Sequence, residues 1–115
     1  MSGTVTPFPL SASQPSQVPF EREELTRILD LYGRMVAAGE WRDYAMQFGK
    51  DAAVFCAYRR AADYPSARLE KRPALRSRQG MWVLYGELGQ ILKRGHELPG
   101  VLAVLERRLL KVVEG

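Results

Sequence analysis

The stretch Tyr44-Ala-Met-Gln-Phe-Gly-Lys-Asp-Ala-Ala-Val-Phe-Cys-Ala-Tyr-Arg-Arg60 decides the fold. Tyr44, Met46 and Phe48 alternate with Ala45 and Gln47, the period of a strand with one buried face. Gly49-Lys50-Asp51 supplies the flexible, polar residues of a tight reversal. Ala52 to Tyr58 is apolar at every position, which predicts a central strand covered on both faces. The short loop makes the two segments antiparallel neighbours in a β-hairpin.

Upstream of the hairpin, Glu21 to Ala38 reads as a helix. Leu25, Ile28, Leu29, Tyr32, Met35 and Val36 fall on one stripe at helical spacing. Glu21, Glu23 and Glu24 suit the positive end of the helix dipole. Glu23 with Arg27, and Asp30 with Arg34, are i, i+4 pairs of the favourable orientation. Gly39 is a natural stop. Gly33 in the helix interior costs about 1 kcal/mol relative to alanine, and close packing against the sheet is the expected reason. Residues 1–19 hold four prolines, four serines and no charged side chain. They predict a disordered tail, from which Phe8 and Leu10 could dock on the domain or a partner.

Downstream, Ser66 to Arg72 is bracketed by Pro65 and Pro73. Ala67, Leu69 and Lys71 alternate with Ser66, Arg68, Glu70 and Arg72. The charged outer set predicts an edge or solvent-facing third strand. Pro73 to Gly80 is a basic connection. Met81 to Tyr85 is a fourth strand, Gly86 to Gly89 a turn, and Gln90 to Arg94 a short fifth strand. Leu98 to Val113 carries a second helical stripe in Leu98, Val101, Leu102, Leu105, Leu109 and Val112. Pro99 is tolerated in its first turn. The expected fold is therefore α+β. A meander of four to five antiparallel strands is flanked by an N-terminal and a C-terminal amphipathic helix, both packed on one face. It forms a single domain over 20–115, behind the tail of 1–19.

The chain carries 17 basic and 13 acidic side chains. Seven of the bases (Arg59, Arg60, Arg68, Lys71, Arg72, Arg76, Arg78) and two of the acids (Asp63, Glu70) lie within 59–78, so the rest of the chain is −1. This segment is the strongest functional lead. Arg59, Arg60, Arg76 and Arg78 are the candidate contacts to an anionic partner, through paired guanidinium donors. Tyr58 and Tyr64 are candidate stacking platforms if that partner is a nucleic acid. The structural reading of the same charges is a solvated strand that discourages sheet-to-sheet pairing.

Catalytic chemistry has little to work with. The single histidine, His96, stands where a strand hands over to a helix and needs a positioned acid to serve as a base. Glu40 and Asp43 beside Trp41 could pair in a site, although a solvated turn is the far commoner explanation. The single cysteine, Cys56, excludes an internal disulfide and reads as a buried structural thiol in a reducing compartment. One His and one Cys fall short of a metal-ligand set, and Gly86, Gly89 and Gly95 fit turns better than a phosphate cradle. No cofactor is expected. No apolar run approaches the roughly 20 residues that span a bilayer, and residues 1–20 lack the pattern of a secretory signal. A cytoplasmic protein follows. Self-association is a further expectation, with the third and fifth strands offering open sheet edges to a homodimer.

Ile28-Leu-Asp-Leu-Tyr-Gly-Arg-Met-Val-Ala-Ala-Gly-Glu-Trp-Arg-Asp-Tyr-Ala45, with Lys50-Asp-Ala-Ala-Val-Phe55, Leu69-Glu-Lys-Arg-Pro73, Gln79-Gly80 and Ile91-Leu-Lys-Arg-Gly-His96, resembles a small alphaproteobacterial family of unknown function, domain-of-unknown-function family 2794. The resemblance covers roughly residues 20 to 113. It implies a bacterial cytoplasmic protein and transfers no activity, cofactor or catalytic residue. The composite expectation is a non-catalytic binding or regulatory module that docks an anionic partner through 59–78. The alternatives are a nucleic-acid-binding protein using the same arginines, a self-associating structural protein, and an enzyme centred on His96.

Overall fold

The computed structural model describes residues 16–60 and 64–114; side chains are described as far as Lys111. The element order is helix α1 (Arg22–Ala37), strands β1 (Asp43–Phe48), β2 (Ala53–Tyr58) and β3 (Ala67–Lys71), a 3₁₀ turn (Pro73–Leu75), strands β4 (Trp82–Tyr85) and β5 (Ile91–Gly95), and helix α2 (Leu98–Glu114). The five strands form one antiparallel sheet in the order β1-β2-β3-β4-β5. This is the α+β meander with a helix at each end that the sequence predicts.

Local chemistry explains the boundaries. Glu21 caps α1 in a capping box: its N–H donates to Glu24 Oε1 at 2.7 Å, and its side chain accepts from the Glu24 N–H. Gly39 ends the helix with φ +80°, a conformation open to glycine at little cost. Arg34 lies 3.3 Å from Asp30 and 3.1 Å from Glu106, so one guanidinium ties α1 to α2. Gly80, φ +94°, closes the basic connection against β5; a Cβ there would lie 2.5 Å from both C and O of Gly95. The two backbones meet where no side chain fits.

Both helices pack on the face carrying Ala53, Phe55, Ala57, Ala67, Leu69, Trp82 and Leu84. Ile28, Leu31 and Met35 of α1, and Val101, Leu102, Leu105 and Leu109 of α2, complete the core. Aromatic rings join its layers. Phe20 stacks on Trp82 and meets Phe48 edge-on, while Tyr32 reaches Trp41, Tyr44 and Phe55.

A buried charge fastens this side. Lys71, 4 % exposed, donates to Glu24 Oε1 at 2.7 Å and to the Pro19 carbonyl at 2.9 Å, and lies over the Trp82 ring. It clamps the segment before α1, the helix itself and the sheet together. Val18 N–H adds a 2.8 Å bond to the Gly49 carbonyl. The expected tail of 1–19 is thus held at Val18 and Pro19. Its residues 1–15, with Phe8 and Leu10, lie outside the described residues, as does Asp63 of the basic segment.

Four expectations are corrected. The charged third strand is central in the sheet; the open edges are β1 and β5, so the fifth strand is an edge as expected and the third is not. β2 is not covered on both faces. Ala53, Phe55 and Ala57 are buried, while Val54, Cys56 and Tyr58 are half-buried on the face away from the helices. Cys56 therefore belongs to that face and not to the core. Gly33 packs against nothing: it is exposed, and a Cβ there would meet no atom within 4 Å.

Candidate functional site

Because neighbouring antiparallel residues share a face, the register defines the side of the sheet that neither helix covers. One row across it reads Gln47, Val54, Glu70, Val83, Arg94; the next reads Ala45, Cys56, Arg68, Tyr85. Its centre is an ionic ladder on β3. The Glu70 carboxylate, its side chain 3 % exposed, is ion-paired with Arg68 through Oε2 and accepts from Arg72 Nε at 2.9 Å through Oε1. Residues i and i+2 of a strand point the same way, so the alternation Arg68-x-Glu70-x-Arg72 builds this ladder from a single segment.

A carboxylate this buried needs compensation, and two guanidinium groups supply it. The ladder is not saturated. Arg68 uses one terminal nitrogen and Arg72 uses Nε, and the two side chains remain 47 % and 40 % exposed. Among the described residues the other nitrogens have no hydrogen-bonding partner, which leaves forked donors facing outward. The Glu70 hydrogen bond holds the Arg72 pKa above its already high ordinary value.

Aromatic and apolar groups surround these donors. Arg68 lies over the Tyr85 ring at 5.7 Å. A depression of about 720 Å³ is lined by Tyr64, Pro65, Arg68, Arg72 and Tyr85, with the Glu87 carboxylate also on its wall. A smaller hollow adjoins it beside Tyr58, Cys56 and Pro65. Tyr64 is 75 % exposed. The structure thus brings Tyr58 and Tyr64 together around Pro65 and Arg68. Burial raises the Cys56 thiol above its ordinary 9.0, against the opposing pull of Arg68 and a hydrogen bond with Tyr58. At neutral pH it is a thiol and a poor nucleophile.

The four arginines singled out from sequence do not share one place. Arg59 and Arg60 follow the end of β2, beside the start of β3, and Arg59 lies 4.0 Å from Glu40. Arg76 and Arg78 follow the other end of β3, about 13 Å away at a strand's rise per residue. Arg76 instead lines a cleft of about 580 Å³ that also holds His96, Glu97, Glu23, Arg27 and Trp82. His96 is exposed there and hydrogen-bonds to no described residue. Among the described residues the Glu40 side chain makes only the long pair with Arg59, and Asp43 accepts from the Tyr44 N–H at 2.8 Å, so the two acids do not pair with each other. Among the described residues no three His, Cys, Asp or Glu side chains group as metal ligands, and no helix is long and apolar enough to cross a membrane.

Sequence reading placed Arg68 and Arg72 on a solvated face and passed over them as contacts. The i, i+2 alternation was the available signal. The missing fact was that β3 is central, which buries the intervening glutamate and fixes both arginines.

A two-layer α+β meander, helices on one side and an arginine-bearing sheet face on the other, is the class that fold and site define. Residues 18–102 match the family model described as protein of unknown function (DUF2794), and the chain belongs to that family. Neither a curated protein nor a solved structure gives a significant match.

Proposed function

We propose that this domain is a non-catalytic binding module and that it docks an anionic partner on its helix-free sheet face. The observation that carries the reading is the Arg68–Glu70–Arg72 ladder. The strand and the buried carboxylate hold two guanidinium groups in place, so little side-chain entropy remains to be lost when an anion docks. Arg59, Arg60, Arg76 and Arg78 contribute at longer range. Lying beyond the strand ends, they attract the partner through solvent and raise its rate of arrival more than they hold it. The cytoplasm, as a reducing compartment, is the proposed location, consistent with the unpaired Cys56.

Nucleic acid is the second reading, favoured by Tyr58, Tyr64 and Tyr85 flanking the same arginines, an arrangement suited to stacked bases. Titration with labelled single-stranded DNA, RNA and a polyglutamate peptide, at low and near-physiological salt, separates the partners. We expect binding that falls log-linearly with salt. In Arg68→Gln/Glu70→Gln/Arg72→Gln, which removes the donors without stranding a buried charge, affinity should drop at least about tenfold. Neutralising Arg59 with Arg60, or Arg76 with Arg78, should cost less than that while flattening the salt dependence. Absence of binding to all three polyanions at low salt overturns the proposal. Binding to polyglutamate alone selects an acidic protein partner, and binding to oligonucleotides selects nucleic acid.

A further inference from the structure

The two open edges of the sheet are chemically unlike. β5 presents Lys93 and Arg94 and carries a register irregularity against β4, two devices that discourage pairing. β1 presents Tyr44-Ala-Met-Gln-Phe48, uncharged throughout after Asp43. On the helix side of this edge, Tyr44 and Phe48 are each 41 % exposed. The adjoining flank of α1 is apolar too: Leu29 and Val36, 38 % and 41 % exposed, flank Tyr32, whose ring meets Tyr44 at 4.9 Å. Gly33 lies on the same flank, in open space. Its helix-interior penalty therefore has no explanation within one chain.

From this geometry we infer that the β1 edge and the Leu29–Gly33–Val36 flank of α1 form a homodimer interface, with a second copy of this chain as the occupant. A two-fold axis perpendicular to the sheet at β1 pairs the two β1 strands antiparallel into one ten-stranded sheet. With Ala45 on the axis, Tyr44 opposes the partner's Met46, Asp43 opposes the partner's Gln47, and no like charges meet. The same operation at β5, centred on its middle residue Lys93, would bring Lys93 against its own copy. An isolated strand added to β1 would satisfy its backbone yet leave Leu29 and Val36 in water. A second copy brings its own α1 to that position, and Gly33 lets the two helices approach closely. The inference does not depend on the anion-docking proposal, which concerns the opposite side of the sheet.

Sedimentation velocity from low to high micromolar protein tests it, with hydrogen exchange of the β1 amides at both ends of the range. We expect twice the chain mass at high concentration and β1 protection that rises with it. Leu29→Glu/Val36→Glu should raise the dimer Kd by at least about thirtyfold, the size of a central interface contact. If that variant loses its circular dichroism, Gly33→Gln serves instead. Its side chain enters space that is empty in one chain and replaces glycine by a better helix former, so it folds as a monomer and weakens the dimer. A wild-type chain that stays monomeric, that forms higher oligomers, or whose dimer resists a folded variant of either kind overturns the inference. So does a dimer in which β1 exchange is independent of concentration.

Discussion

At the scale of single residues, glycines with similar backbone angles do different jobs. Gly39 and Gly80 both have positive φ, but only Gly80 has backbone within 2.5 Å of where a Cβ would stand. Gly39→Ala should cost about 1 kcal/mol, the conformational penalty alone. Gly80→Ala should cost about 3 kcal/mol or more, since β5 must also move; urea titration of the two variants checks the ordering. Gly39 was legible in sequence because it follows an amphipathic stripe. The role of Gly80 was not, because it depends on Gly95, which local sequence does not bring near. Cys56 gives a pH prediction. Its folded pKa is raised above 9.0 mainly by burial, so the unfolded chain releases the proton first. The stabilising contribution is complete below about pH 9 and fades as pH climbs through the folded value. Stability should therefore decline on the alkaline side of neutrality, and Cys56→Ser should remove part of that slope. Tyr58, likewise raised, accounts for a later part.

At the scale of elements, β3 is the instructive strand. Its existence and alternation were readable from two prolines and a two-residue period. Its place in the sheet was not, because charge at Arg68, Glu70 and Arg72 normally marks an edge. Glu70 offsets one of the two positive charges and ties both guanidinium groups down, and that lets the strand lie in the centre. Lys71 on the opposite face works the same way, burying its amine against Glu24 and the Pro19 carbonyl. Glu24→Gln strands that amine and should cost about 3 kcal/mol, the low end for a broken buried pair, given that Glu24 retains some exposure. Glu24→Gln with Lys71→Met removes both charges and should recover most of the loss. Denaturation of the four members of that double-mutant cycle would measure the coupling.

At the scale of the whole molecule, the sheet has one side that packs the two helices and one side that neither helix covers. Phe20, stacked on Trp82 and set against Phe48, belongs to the first. Phe20→Ala should lose about 3 kcal/mol without altering any polyanion affinity, measured by unfolding and by titration below the new midpoint. The layer arrangement was legible, since two amphipathic stripes and a meander leave few ways to bury apolar area. The helix-free face was not, because its content depends on which strands are neighbours. Pairing of β1 across a two-fold axis would set two such faces side by side, and a partner long enough to reach both would gain avidity without new contacts.

The backbone meeting of Gly80 and Gly95 bears on how this lineage can drift. A side chain at Gly80 has no room while β5 keeps its course, so neutral substitution is closed there whatever the protein binds. Both glycines fall within the short motifs, Gln79-Gly80 and Arg94-Gly95-His96, by which the chain resembles its relatives. Invariance at those two positions in an alignment would therefore record inherited architecture. Divergence in trade would show instead where descent leaves room for choice, at Arg68, Arg72 and Tyr64.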